Sequence, residues 1–182
     1  MEKTSIRMRL LVGGAIDGCL TATGVAFGAA FATADTKLVI IAILSAAFSN
    51  IVASTFATVT GQLAEAASWT KTLGEKMRMR KDAVETLGVV REFREEAKTN
   101  WLVEGAGIVA GSALPALPFF FLPTMTAIVF CGAISAVILF VVGALIGWLR
   151  KENLLKYGLI VVVVGLVTAA ITRSIELIVE LI

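Results

Sequence analysis

GAGIVAGSALPALPFFFLPTMTAIVFCGAISAVILFVVGALIGWL, from Gly105 to Leu149, runs for 45 residues without a charged side chain. Wound as one helix it would measure about 68 Å, more than twice a hydrocarbon core of about 30 Å. It must therefore fold as two membrane spans, and Pro123 in FLPTM is the natural turn between them. The same reading extends outward in both directions. Leu10–Ala34 carries one charge, Asp17, and Leu38–Ala64 carries none. A last apolar run starts at Tyr157, with Arg173, Glu176 and Glu180 in its final third. The fold expected is all-α: a single transmembrane domain over 1–182 with spans near 10–33, 38–65, 102–121, 125–149 and 157–179. A helical segment near 68–100 joins spans two and three.

Composition agrees. Apolar residues make up 58% and charged residues 16%, with a mean hydropathy of +0.90. Soluble domains average about 45–50% and about 25%, so this chain is expected to be an integral, multi-pass membrane protein in contact with a lipid bilayer. The sequence has no His, which excludes His-based zinc sites, Ser-His-Asp and Cys-His nucleophile systems, and axial haem histidines. Cys19 and Cys131 are far apart in apolar runs without CxxC spacing, and read as small buried hydrophobes. With no nucleophile–base pair or multi-ligand metal motif, the chain does not read as an enzyme.

Basic residues set the expected orientation. Fourteen of the sixteen Lys and Arg fall before span one, between spans two and three, or between spans four and five; only Lys37 lies in a loop on the other side. The positive-inside rule then puts the N-terminus in the cytoplasm and the C-terminus outside. Ala32-Thr33-Ala34 imitates a signal-peptide cleavage site, but the apolar run before it exceeds an h-region of about 7–15 residues and Asp17 interrupts it, so the first span is read as retained.

Asp17 is the first candidate for function, because a carboxylate within a bilayer must be partnered or hydrated. Its surroundings, GGAIDGCLTATGVAFG, place Gly14 and Gly18, then Gly24 and Gly28, four residues apart, a smooth face for a second helix. From that face we expect a homodimer through the first span. Span two carries a polar ladder of Ser45, Ser49, Asn50, Ser54, Thr55, Thr58, Thr60 and Gln62. Asn50 and Thr58, about two turns apart, roughly share a face; they line either an oxygen-rich path or an ordinary interhelical contact. In the segment Ser68–Asn100, Val84, Leu87, Val90, Phe93 and Ala97 recur at helical spacing. Glu92, Glu95 and Glu96 share one side of it, but the interleaved Arg91 and Arg94 make a solvated face the better reading. Its eight basic residues are nearly balanced by six acidic ones, which gives no support for nucleic-acid binding. Arg173 and Glu176, at i and i+3, read as a structural pair.

Three stretches together resemble the vacuolar iron transporter family, which exports ferrous and manganous ions from the cytosol. IDGCLTATG, Ile16–Gly24, is similar to the family's Asp-Gly motif. GSALPALPFFF, Gly111–Phe121, is similar to its Gly-x-x-x-Pro-x-x-Pro signature, with Pro115 and Pro118. VGALIGWLRKENLLKYGL and VGLVTAAIT match its Gly-Ala pair, basic loop and Gly-x-x-Ala-Ala helix. The chain resembles a short member, with the long Glu-rich insert reduced to about one helix. The resemblance implies a dimer with the ion path between protomers, export coupled to protons, and Asp17 as an ion ligand. Asn50 and Thr58 stand where the family has Glu and Met, and Arg173 and Glu176 where it has Tyr and Gly. The resulting oxygen-only set suits a hard ion such as Mn²⁺ or Mg²⁺.

The expected function is therefore proton-coupled export of a divalent cation of the Fe²⁺ or Mn²⁺ type, with no cofactor besides the transported ion. Asp17, Asn50 and Thr58 would hold it, and Glu65 and Glu104, near the cytoplasmic ends of spans two and three, would attract it. The alternative is a membrane scaffold or regulatory protein of the same fold that has lost the ion site.

Overall fold

The computed structural model of the chain describes residues 2–33, 35–77 and 89–180, and the side chains of 6–33, 35–69, 71–72, 99–175 and 177–178. The described residues are helical apart from short turns. We number the helices α1 (Glu2–Ala32), α2 (Thr36–Met77), α3 (Val89–Ala116), α4 (Thr124–Leu149) and α5 (Leu154–Glu180), with a 3₁₀ turn at Leu117–Phe120 between α3 and α4. Each of the five contains a stretch long and apolar enough to cross a membrane. Their outward surfaces carry large apolar side chains, among them Phe48, Phe56, Phe121, Val129 and Leu155, which water would penalise and lipid accommodates. This is an integral multi-pass membrane protein.

Local chemistry explains the ends. Asp35 caps α2 by accepting the Lys37 N–H at 2.9 Å. Pro115, buried within α3, supplies no N–H to the helix ladder; α3 ends one residue later and tightens into the 3₁₀ turn. Pro123 opens α4, its carbonyl accepting from Thr126 and Ala127. The other end of α4 closes with Glu152 N–H to the Gly147 carbonyl and Lys151 N–H to that of Trp148. Lys151 takes the left-handed conformation, φ 55°, that this motif usually gives to Gly.

The helices pack around α1, whose two glycine pairs serve different neighbours. A Cβ on Gly14 would overlap the Glu104 carbonyl, and one on Gly18 the Ile108 carbonyl; on the opposing helix, Gly107 and Gly111 meet the backbone of α1 at Leu11 and Ala15. Thus α1 and α3 lie backbone against backbone, small residues on both sides. Gly24 and Gly28 face Thr168 and Thr172 of α5. Of the two faces expected to join two copies of the chain, that of Gly14 and Gly18 is taken up by α3 within one protomer, while Gly24 and Gly28 stay half-buried beside α5. Toward the other end of the bundle, Ala22, Ala26 and Ala30 of α1 pack with Val39, Ile43, Phe119, Ala127 and Ile128 in a dry core.

The described parts of the segment between spans two and three are helical. Its first part continues α2 to Met77 and its last part, from Val89, continues directly into the third span. Val84 and Leu87 lie outside the described residues, as do the side chains of Val90, Phe93 and Ala97.

Candidate ion site

Asp17 lies eleven residues inside the α1 span Ile6–Ala32, about 16 Å along the axis. Its side chain is exposed, and among the described residues it makes no hydrogen bond or ion pair. The reason is angular. Gly18, one residue on, is buried against α3, so Asp17 points away from that contact onto a stripe it shares with Gly13 and Thr21, four residues to either side. Among the described residues the stripe is left exposed at Asp17.

Asn50 reaches the next turn of the same stripe: its Nδ2 donates to the Thr21 hydroxyl at 3.1 Å. Because α1 and α2 run antiparallel through the turn at 33–35, this bond sets their relative depth. Asn50 lies level with Thr21, the half-buried Ser54 comes level with Asp17, and Thr58 lies about one turn beyond, toward the α1 N-terminus. Thr21 and Asn50 thus meet one turn from Asp17, with Ser54 at the depth of Asp17 on the facing helix. Thr21 is the residue that sequence reasoning missed, although its position four residues after Asp17 is the signal that finds it.

The other candidates gather elsewhere. The Thr58 hydroxyl donates to the Glu104 carboxylate, tying α2 to α3. That bond lies where α1 and α3 touch at Gly14, so it serves the helix junction as well as any ion. Glu65 lies two turns further along α2 and is exposed. Among the described residues no three Asp, Glu or Cys side chains converge as a metal site. The side chains of Glu92, Glu95 and Glu96 lie outside the described residues.

A second polar cluster is buried. Thr23 and Ser135 share a hydrogen bond of 2.7 Å between α1 and α4; each also donates or is placed to donate to its own helix, Thr23 to the Cys19 carbonyl and Ser135 to that of Cys131. Cys19 and Cys131 are free and fully buried beside them. Arg173 lies over the Phe31 ring, 4.3 Å from its centroid, linking α5 to the end of α1; the side chain of Glu176, its expected partner, is outside the described residues.

Five helices long and apolar enough to cross a membrane define a multi-pass membrane protein. The chain belongs to the VIT family, the vacuolar iron transporters, whose model matches residues 64–176. It is also 31% identical over 169 residues to an uncharacterized protein of Methanocaldococcus jannaschii, a similarity covering 92% of this chain and 87% of the relative. Membership points to metal-ion transport in general. The family match begins after Asp17, Asn50 and Thr58 in the sequence and includes Glu65 and Glu104, so it rests on the later spans.

Proposed function

We propose that the chain exports a divalent cation, Fe²⁺ or Mn²⁺ in type, in exchange for protons, as a homodimer whose ion path runs over the open α1–α2 surface. The observation that carries this reading is the exposed Asp17 carboxylate, unpartnered among the described residues. Left facing lipid it costs several kcal/mol, which a partner subunit, water and a cation together remove. Asn50, Thr21 and Ser54 supply neutral oxygens beside it, and two Asp17 side chains per dimer supply the charge. An ion held only by oxygen donors suits Mn²⁺. Exchange of the ion for a proton on the same carboxylate would couple the two fluxes. Glu65, exposed further along α2, adds negative charge on the side from which the ion approaches. The basic ends of the helices face the cytoplasm.

The hydrogen bond from Thr58 to Glu104 favours a second reading, because it commits a candidate ligand to holding α2 on α3. In that reading the protein is a membrane scaffold that keeps the fold without transport. Proteoliposomes carrying the purified chain separate the two, with Mn²⁺, Fe²⁺ and Mg²⁺ flux measured at two pH gradients. Divalent-ion uptake that responds to the gradient and disappears in Asp17→Asn supports the transporter. No flux of any of the three ions, with Asn50→Glu/Thr58→Met then active, leaves the scaffold standing.

A further inference from the structure

At the end of the bundle that carries Arg9 and Arg150, α1 and α4 leave between them a half-open chamber of about 530 Å³. Val12, Gly13 and Ile16 line it from α1, and Ile146 and Leu149 from α4; the two arginines complete the lining. Gly13 leaves it roomy, since nothing lies within 4 Å of where its Cβ would be. Arg9 stands three residues inside the first span, and Arg150 directly follows the fourth, Thr124–Leu149. Both guanidinium groups therefore sit at the membrane boundary on the same side, above an apolar slot.

The two arginines have donors to give. Arg9 is exposed and makes no ion pair or hydrogen bond among the described residues. Arg150 is oriented rather than neutralised. Its Nε lies 3.7 Å from Glu152, whose other carboxylate oxygen accepts the Tyr157 hydroxyl at 2.6 Å, and its guanidinium lies 5.4 Å from the Tyr157 ring centroid. The terminal amino groups of Arg150 have no partner among the described residues. The left-handed turn at Lys151 fixes the backbone that holds this arrangement.

We infer that the chamber binds an anionic phospholipid, its phosphate between Arg9 and Arg150 and an acyl chain along Val12, Ile16, Ile146 and Leu149. Two positive charges at the mouth oppose a cation, so the chamber is a poor approach for the ion. They match a headgroup phosphate at the depth where such groups lie, and basic pockets between transmembrane helices are suited to this use. The apolar slot selects a lipid over a free anion. The inference stands apart from transport, because bound lipid is measured without flux.

The test uses the full chain purified in detergent, with lipid retention read by native mass spectrometry after exposure to phosphatidylglycerol or phosphatidylcholine. Phosphatidylglycerol should be retained in preference. The double variant R9Q/R150Q should weaken that retention roughly thirty-fold, corresponding to about 1 kcal/mol per arginine. R7Q/K156Q, which removes the same charge at the same end outside the chamber, should change it little. Gly13→Leu fills the chamber without touching either arginine and should also reduce retention. Equal losses in the two charge variants overturn the site, since diffuse attraction to the basic end would then suffice. Displacement of phosphatidylglycerol by inorganic phosphate overturns the lipid as occupant. If Gly13→Leu separates a dimer and leaves retention per chain unchanged, a second copy fills the chamber and the inference is wrong.

Discussion

One side of α1 is closed and another is open, and the two are only one residue apart in sequence. Gly14 and Gly18 bring the backbone of α1 against α3, so close that no Cβ fits. Gly13 and Asp17, the preceding residue in each case, face outward. In lipid there is little hydrophobic gain from joining two apolar helices, so close packing of small residues must hold them together. That requirement fixes the rotation of α1, and the rotation in turn places the carboxylate outside. The difference shows how a protomer becomes rigid while leaving a charge available: the glycine face supplies the rigidity, and the charge follows by geometry.

The most damaging way to break this contrast is Gly18→Leu. Its side chain would have to displace the Ile108 backbone, and overpacking of a tight contact costs about 1–3 kcal/mol or more. We expect no monodisperse folded protein on size exclusion; a variant that purifies with unchanged melting temperature would show that the α1–α3 junction has room for a large side chain. Asp17→Asn comes next. It should reduce divalent-ion flux to background, while stability stays within about 0.5 kcal/mol because the side chain has no hydrogen-bond or ion-pair partner to lose among the described residues. Thermal unfolding and flux on the same preparation check both halves of that expectation.

A smaller effect is expected from Thr23→Val, which removes the buried hydroxyl link to Ser135. Interhelical hydrogen bonds in membranes average about 0.6 kcal/mol, with a maximum near 1.7, so a loss of about 1 kcal/mol is expected in a detergent unfolding titration. A loss above about 3 kcal/mol would make this polar cluster, rather than the glycine junction, the main clamp on α1. The smallest and most discriminating change is Gly13→Ala beside Gly14→Ala. Gly13 has open space, so its substitution should stabilise the helix by about 0.5–1 kcal/mol. The neighbouring substitution should destabilise. Equal effects of the two would mean that α1 is rotated, with Gly14 no longer turned toward α3.

Much of this was legible in the sequence. The uncharged run Gly105–Leu149 required two spans, and Pro123 marked their turn, where α4 begins one residue later. Asp17 stood out because nothing else in the run Leu10–Ala34 is charged. The glycine repeat announced close helix contact but not with which helix, since Gly-x-x-x-Gly reads the same whether the partner is α3 or a second copy. Gly107 and Gly111 carry the same spacing in the third span, and that second repeat was the available clue. Asn50 and Thr58 share a face by periodicity, yet they have different partners, Thr21 on α1 and Glu104 on α3. Periodicity reports the angle around one helix and says nothing about which neighbour stands at each height.

The sequence by itself determined that the chain crosses a membrane five times and that a carboxylate lies inside the first crossing. Those properties depend on counts along the chain, because bilayer thickness sets span length and charge is costly in hydrocarbon. Only the tertiary structure decided that the Gly14 and Gly18 face is consumed within the protomer, that Thr21 joins Asn50 one turn from Asp17, and that Arg9 and Arg150, 141 positions apart, flank one chamber. Each of these depends on the rotation and relative depth of helices. They arise from contacts between residues far apart in the chain, where no spacing along a single helix can encode them.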